Sequence, residues 1–580
     1  MRNSFFVSIL LLVLLHTTKA QINTNNPATP SKDWLWGKTT DCTASQGICV
    51  TSDKAGNVYV AGYFRCMTMY FDNIPVNNCM FNNEDVFLVK FNPMGKAQWI
   101  KNLHGWGSDR PTAIVVDDKQ YIYLTGNFDG QNLANDYGIS YNSGVSNFFV
   151  VKYSQTGYFL WARTAAEYTH VKSLSICTTG SGGVYIAGYY LTHDLLMNVC
   201  NLVNPYPTTE EAFVVKINDN SVISWGRSFG GSGNDRITGI AADGQGGIII
   251  TGSFDSPSLP FGQDTLTKTG AQSELFTAKL DLLGNPLWAK TSGSTTGSLK
   301  GSAVVCDNTG NVLVGGTFNG ANVTIESTSL INADPLGFTN DIFYAKYSNN
   351  GNLLWAKAIG SDGDDAANSM SYNGNTYLGG FFKGSSILLG LSNFTNTAPG
   401  RSDLFYTKCD ANGNVIAADT KGTSYDDAIN GISVDASDNV YISGYFSYGQ
   451  LAFGTDTVHN FINDFVNLNY MQVLAAKAGT ASVLTTTTTT TTGLNNISSS
   501  PSDGFEIYPN PVTKHLYLQS LRSSENNFIV TLTDILGRKY LNSIKLSDYA
   551  ELDLEALSAG IYYLRLTSGA SERTYKIVKE

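Results

Sequence analysis

A glycine recurs at Gly62, Gly126, Gly188, Gly252, Gly316, Gly380 and Gly444, each 64 residues after the last except for one step of 62. Two residues later comes an aromatic: Phe64, Phe128, Tyr190, Phe254, Phe318, Phe382 or Phe446. The segments around the first and last of these glycines, NVYVAGYF from Asn57 and NVYISGYF from Asn439, are nearly identical. Such a chain does not fold around one ordinary core. It builds seven like units and stacks or rings them.

Other residues keep the same phase. Tryptophan opens six copies, at Trp36, Trp99, Trp161, Trp225, Trp288 and Trp355, and VIAAD at Val415 takes its place in the seventh. Nine residues before the glycine lies Asp53, Asp117, Asp243, Asp307 or Asp435. Late in each unit stands DVFLVK at Asp85 or a relative of it: EAFVVK at Glu211, ELFTAK at Glu274, DIFYAK at Asp341, DLFYTK at Asp403. The Asp-to-Asn segments read as tight turns, with the Asp accepting from turn amides and Gly or Asn supplying positive φ. The in-strand glycine implies close packing or a bulge, and the aromatics are apolar mass for packing sheet on sheet. The lysine after DxFxx is expected outside the core, its stem covering apolar surface.

About four short strands fit each unit: at the Trp, before the Asp, at the glycine and at DVFLVK. Four-stranded units of this length, repeated seven times, predict an all-β, seven-bladed β-propeller over residues 33–479. A straight solenoid needs polar caps, and none is legible. The motifs W-(A/G)-K, D-x-x-G-N-V-Y-(V/I)-x-G-x-F and D-x-F-x-x-K-(Y/F) resemble the bacterial SBBP-type propeller repeat. The seventh copy departs from the pattern at DFVNLNYMQVLAAK, where ring closure is least defined.

The flanks differ in texture. Arg2, the apolar run Phe5–Leu15 and small residues at Thr18 and Ala20 predict a signal peptide over residues 1–20. No later segment reaches 18 uninterrupted apolar residues, so no membrane span is expected. Residues 480–504, with eight consecutive threonines, predict a linker. DTL at Asp264 and DTV at Asp456 look like the short acidic-Ser/Thr glycosylation motif of Bacteroidetes. Residues 505–580 read as a small β-sandwich. YPNP (Tyr508, Pro509, Asn510, Pro511), then Asp534, Gly537 and Arg538, then Gly560 and Tyr562 occur in order. This resembles the type A C-terminal sorting domain of the type IX secretion system. The resemblance implies that the secretion machinery is a partner and that the protein is secreted or held at the outer surface.

A net charge of −11 with no basic cluster argues against nucleic acid. Eight cysteines in an exported chain permit disulfides, and Cys66 with Cys79 is the expected pair. No CxxC, HExxH, GxSxG or P-loop is present, and GGSGND at Gly230 precedes a strand rather than a helix. No metal or cofactor is expected. One constellation is shared between copies: Asp109, Asp235 and Asp427 stand 17 residues before the glycine, and Asp365 aligns after a short gap. These carboxylates are expected on one face of a ring, capping the turn before a strand; binding a cation or polyhydroxyl ligand near the central channel is the sharper alternative. The expected protein is a monomeric, noncatalytic binder of a glycan or protein at the cell surface. The alternative is a hydrolase or lyase of polysaccharide or peptide, with its residues in the loops Gln131–Val145 or Thr192–Thr209.

Overall fold

In the computed structural model the described residues are 33–579 except 43, 79–82, 130–145, 166–169, 179–181, 198–199, 271, 296, 461–470, 480–504, 509–511, 521–527, 535–537, 547–548 and 569–570. The expected signal peptide and linker lie outside them. The chain divides into two compact units, Met1–Val483 and Leu484–Glu580. Every named element is a β-strand.

The first unit holds seven four-stranded antiparallel sheets. The first sheet runs in chain order through Ser45–Ser52, Val58–Phe64, Asp85–Phe91 and Ala97–Leu103. The next five begin at Asp109, Val171, Asp235, Leu299 and Asp365 and repeat that order. A two-stranded hairpin branches off between the second and third strands of six sheets. In the second sheet the corresponding segment is outside the described residues.

The seventh sheet is made from both ends of the unit. Its first three strands are Asp427–Val434, Val440–Phe446 and Gln472–Gly479, and its fourth is Asp33–Lys38, with Trp36 opposite Lys477. The Trp-bearing strand therefore does not open its own sheet, as the repeat phase implied; it completes the one before. Each first strand packs against the first strand of the next sheet, and Asp427–Val434 packs against Ser45–Ser52.

The repeated glycine owes its place to the first strand. A Cβ on Gly62, Gly188 or Gly252 would lie 1.9 Å from the carbonyl oxygen of Gln46, Lys172 or Arg236, and in the other four copies the same contact is 1.8–2.3 Å. Opposite each of these glycines the first strand carries a bulge, whose extra residue is Ile48, Thr112, Leu174, Thr238, Ser302, Asn368 or Asn430. The bulge bends the strand toward the glycine and turns one side chain off the ladder.

Adjacent sheets are stapled by the tryptophans. The Nε1–H of Trp36, Trp99, Trp161, Trp225, Trp288 and Trp355 donates to a carbonyl in a turn of the following sheet: Pro93, Gln155, Asp219, Leu282, Asn349 and Ala411, at 3.0–3.3 Å. Ala417 holds the seventh position, and at that seam Trp34 donates to Asp419 Oδ2 at 2.6 Å.

Two expectations are corrected here. Lys152, Lys279, Lys346 and Lys477 are buried, not surface-lying. Lys279 and Lys346 end 2.8 and 2.9 Å from the turn carboxylates of Asp243 and Asp307, which compensate the buried ammonium. Cys66 is bonded to Cys42, with Cα atoms 5.8 Å apart, and so is not available to Cys79, which lies outside the described residues. The reason is register: Ser45 pairs with Phe64, so the residues just outside that ladder, 42 and 66, face each other.

In the second unit, Phe505–Tyr508, His515–Ser520 and Tyr549–Asp553 form one sheet. Lys539–Leu546, Phe528–Asp534, Gly560–Ser568 and Ser571–Lys579 form the other, in that spatial order. Leu516, Leu518, Val530, Leu532, Leu564 and Leu566 belong to one shared core.

Candidate functional site

Asp109, Asp235, Asp365 and Asp427 each begin the first strand of a sheet, at one equivalent position. The repeat brings them to one level of the fold but not to the surface: each is 0–1% exposed. Their oxygens hold the loop they terminate. Asp235 accepts from the N–H groups of Gly231, Asp255 and Ser256 and from Ser256 Oγ. Asp365 accepts from Ser361 N–H, Ser361 Oγ and Lys383 N–H, and Asp427 from Thr423 N–H, Thr423 Oγ1 and Ser447 N–H. The ligand-facing reading of these carboxylates is thus corrected. They cap loops, because a strand-initial Asp finds free amides in the turn before it. The glycine-rich GGSGND loop likewise turns its Gly231 and Gly233 amides inward, to Asp235 and Ser256 Oγ.

Each of these aspartates meets a second acid across the seam. The amides of Asp109, Asp235, Asp365 and Asp427 donate to the carbonyls of Glu84, Glu210, Asn340 and Ser402 at 2.7–2.8 Å. That contact sets them beside Asp85, Glu211, Asp341 and Asp403, the acids of the DxF motif. All four of those acids are buried. Loss of water is the main force raising Asp109, Asp235, Asp365 and Asp427 above the usual carboxyl range. The facing carboxyl adds to the rise at Asp109, Asp365 and Asp427. Glu211 and Asp341 are pushed up to about 7, again first by burial.

A cavity of about 500 Å³ is lined by the first strands of all seven sheets. Several of its polar side chains join those strands. The bulge residues Thr238, Ser302, Asn368 and Asn430 donate to the carbonyls of Gly301, Ala367, Ile429 and Gly47, each on the next first strand. Among the described residues, no three His, Cys, Asp or Glu side chains converge as metal ligands do.

What the first unit shows to solvent is different. In the fifth sheet's branch, Asn332 Oδ1 accepts from Asp334 N–H, and the Asp334 carboxylate accepts from the amides of Leu336 and Phe338. This fixed turn holds Leu336 and Phe338 outward, 72% and 82% exposed. Sequence reading passed over it, although its run of Asn, Asp-Pro and Gly is a turn signature. Of the two loops weighed for catalysis, Gln131–Val145 is outside the described residues. Thr192–Thr209 carries the hairpin Asp194–Met197 and Cys200–Val203, with His193 Nδ1 2.9 Å from Asp194 on its exposed side.

In the second unit, Asp534 accepts from Arg538 N–H and Nε–H and from the Tyr540 hydroxyl. Tyr540 packs edge-on to Tyr562, with ring centroids 5.5 Å apart. Tyr562 also donates to the Ser558 carbonyl, and Gly560 starts that strand. So Asp534, Arg538 and Tyr562 form one cluster. Pro509, Asn510, Pro511 and Gly537 are outside the described residues, and Tyr508 ends the strand Phe505–Tyr508. Residues 506–580 match the secretion system C-terminal sorting domain. The protein is therefore exported by type IX secretion to the cell surface or extracellular space. The sorting domain also implies interaction with that secretion system. Among the described residues, no helix is long and apolar enough to cross a membrane.

Beyond the sorting domain, the chain is 24% identical to an uncharacterised WD repeat-containing protein of Acanthamoeba polyphaga mimivirus, over 72% of this chain. It spans 36% of that relative's length. Among solved structures, the endosialidase of phage phi92 aligns over 94% of this chain and 88% of its own, at 9% identity and a TM-score of 0.36.

Proposed function

We propose that the seven sheets are blades of a closed, seven-bladed β-propeller of the SBBP repeat kind, and that the exported protein is a noncatalytic binding module for a protein or glycan at the cell surface. The cyclic packing of the first strands, with Asp33–Lys38 completing the last sheet, supports the ring. The binding reading rests on one observation. Leu336 and Phe338 stand in solvent on a turn whose amides are already tied down, so a partner meets apolar anchors that lose little conformational freedom on contact. Glycan-array and surface-extract binding by the secreted protein tests it. Leu336→Ser with Phe338→Ser is expected to lower affinity at least tenfold while leaving the melting temperature within a few degrees. Unchanged binding moves the site elsewhere on the ring. Turnover of a polysaccharide or peptide replaces this reading with the hydrolase or lyase.

A further inference from the structure

The seams between sheets bury more acid than their donors satisfy. Besides Glu274 Oε2, in a seam with a single acid, four buried carboxyl oxygens at these positions have no hydrogen-bond partner: Asp109 Oδ2, Glu211 Oε2, Asp341 Oδ1 and Asp403 Oδ1. One falls in each of the four seams where two acids meet. The distribution of donors within three of those seams is uneven in the same sense. Asp235, Asp365 and Asp427 accept N–H or O–H groups on both oxygens, as an anion requires. Across from two of them, Asp341 and Asp403 take an N–H on Oδ2 only, from Ala333 and Thr397. A carboxylic acid needs no donor on the oxygen that carries its own proton, and it supplies one to its neighbour.

Two other seams give an internal comparison. Where the first strand begins with Val171 or Ser45 in place of Asp, the DxF position of the preceding sheet is Asn147 or Gln472. A neutral amide, the near-isostere of a protonated acid, therefore stands at the position of Glu211, Asp341 and Asp403. The remaining seam, Glu274 against Leu299, has no second acid. There Glu274 Oε1 takes three donors, from Thr269 N–H, Thr269 Oγ1 and Gly270 N–H, and Oε2 takes none.

We propose that four seams of the ring are each locked by one shared proton, held on Asp109, Glu211, Asp341 and Asp403 and donated to the facing carboxylate, which makes the ring firmer in mild acid than in alkali. A bridging cation fits less well, since the oxygens of Asp235, Asp365 and Asp427 already have N–H groups pointed at them. Other titratable groups face the pairs. They are Asp129 and Glu84 at Asp109, Tyr190 at Glu211, Asp334 at Asp341 and Tyr445 at Asp427. The nearby guanidiniums of Arg65 and Arg110 are committed to Glu84.

The sign follows from linkage. With Glu211 and Asp341 raised to about 7 from ordinary values of 4.5 and 3.8, the folded ring holds protons that the unfolded chain has released. Their contribution is whole below pH of about 4, declines as pH rises through the unfolded values, and is gone above about 7 to 8. All eight tryptophans lie between Trp34 and Trp355, so their fluorescence reports the first unit within the full chain. The melting temperature is expected to fall by several degrees from pH 5 to pH 8. Asp341→Asn and Asp403→Asn, which keep an N–H donor at every pH, should raise it at pH 8 and shrink the fall. Asp365→Asn and Asp427→Asn should lower it at both. Equal losses from all four variants at pH 8 would overturn the proposal, as would a calcium-induced rise in chelator-treated protein. If the variants do not fold, calorimetry of the unaltered chain at pH 6, in buffers of different ionisation heat, counts the protons. Release on unfolding supports the lock, and uptake or no exchange refutes it.

Discussion

At Gly252 a Cβ would meet the Arg236 carbonyl oxygen at 1.9 Å, whereas at Gly244 it would meet nothing and only the φ of +70° resists a side chain. Gly252→Ala is therefore expected to cost about 3 kcal/mol, since backbone cannot step aside easily. Gly244→Ala should cost about 1 kcal/mol. Urea midpoints read by tryptophan fluorescence test the ranking, and equal midpoints would refute the close-approach argument. The glycine was legible as a repeated constraint, but its cause sits in the partner strand, whose bulge has no residue signature: Ile, Thr, Leu, Ser and Asn all occupy it. The disulfide was misread for a related reason. Cys66 lies where two ladders meet, one pairing Ser45 with Phe64 and the other Thr68 with Asn77, and sequence distance favours the nearer cysteine. Non-reducing peptide mapping should recover Cys42 joined to Cys66, and Cys42→Ser with Cys66→Ser should lose about 3 kcal/mol.

At the scale of elements, the strand Asp33–Lys38 carries more than its six residues suggest. It brings buried Trp34 and Trp36, the bonds to Asp419 and Pro93, and the outer edge of the seventh sheet. A chain beginning at Thr39 leaves Gln472–Gly479 as a bare edge. It is expected to lose at least about 3 kcal/mol and to associate on a sizing column. A monomer with unchanged stability would show that the strand is an accessory. The sequence displayed this element as the opening of the first copy, because a repeat can be cut at any phase. Only pairing tells which sheet a strand joins. The Asp-turns and the second strands, by contrast, were readable at once, since their hydrogen bonds and burial are local to one copy.

At the scale of the whole molecule, export and fold are expected to be separable. Removing Phe505–Glu580 should leave the first unit with its native melting transition yet keep it inside the cell envelope, as fractionation and fluorescence melting will show. Normal levels of the truncated protein in the medium would refute this. The candidate site was the least legible part. Repetition gave the position of Asp109, Asp235, Asp365 and Asp427 correctly, but depth is a property of the assembled seams, and a buried acid and a ligand-facing one have the same letter.

The strand shared between the two ends also sets an order of events. Asp33–Lys38 leaves the ribosome early, and its partner Gln472–Gly479 follows more than four hundred residues later. Until then the tryptophans of that strand have no sheet to enter, and the seventh sheet has no fourth member. Closing so long a loop costs entropy that no local contact repays in advance. Completing the seventh sheet is thus the capture of an early part of the chain by a much later one, and whatever shields residues 33–38 in the meantime would govern how much of the first unit is ever completed.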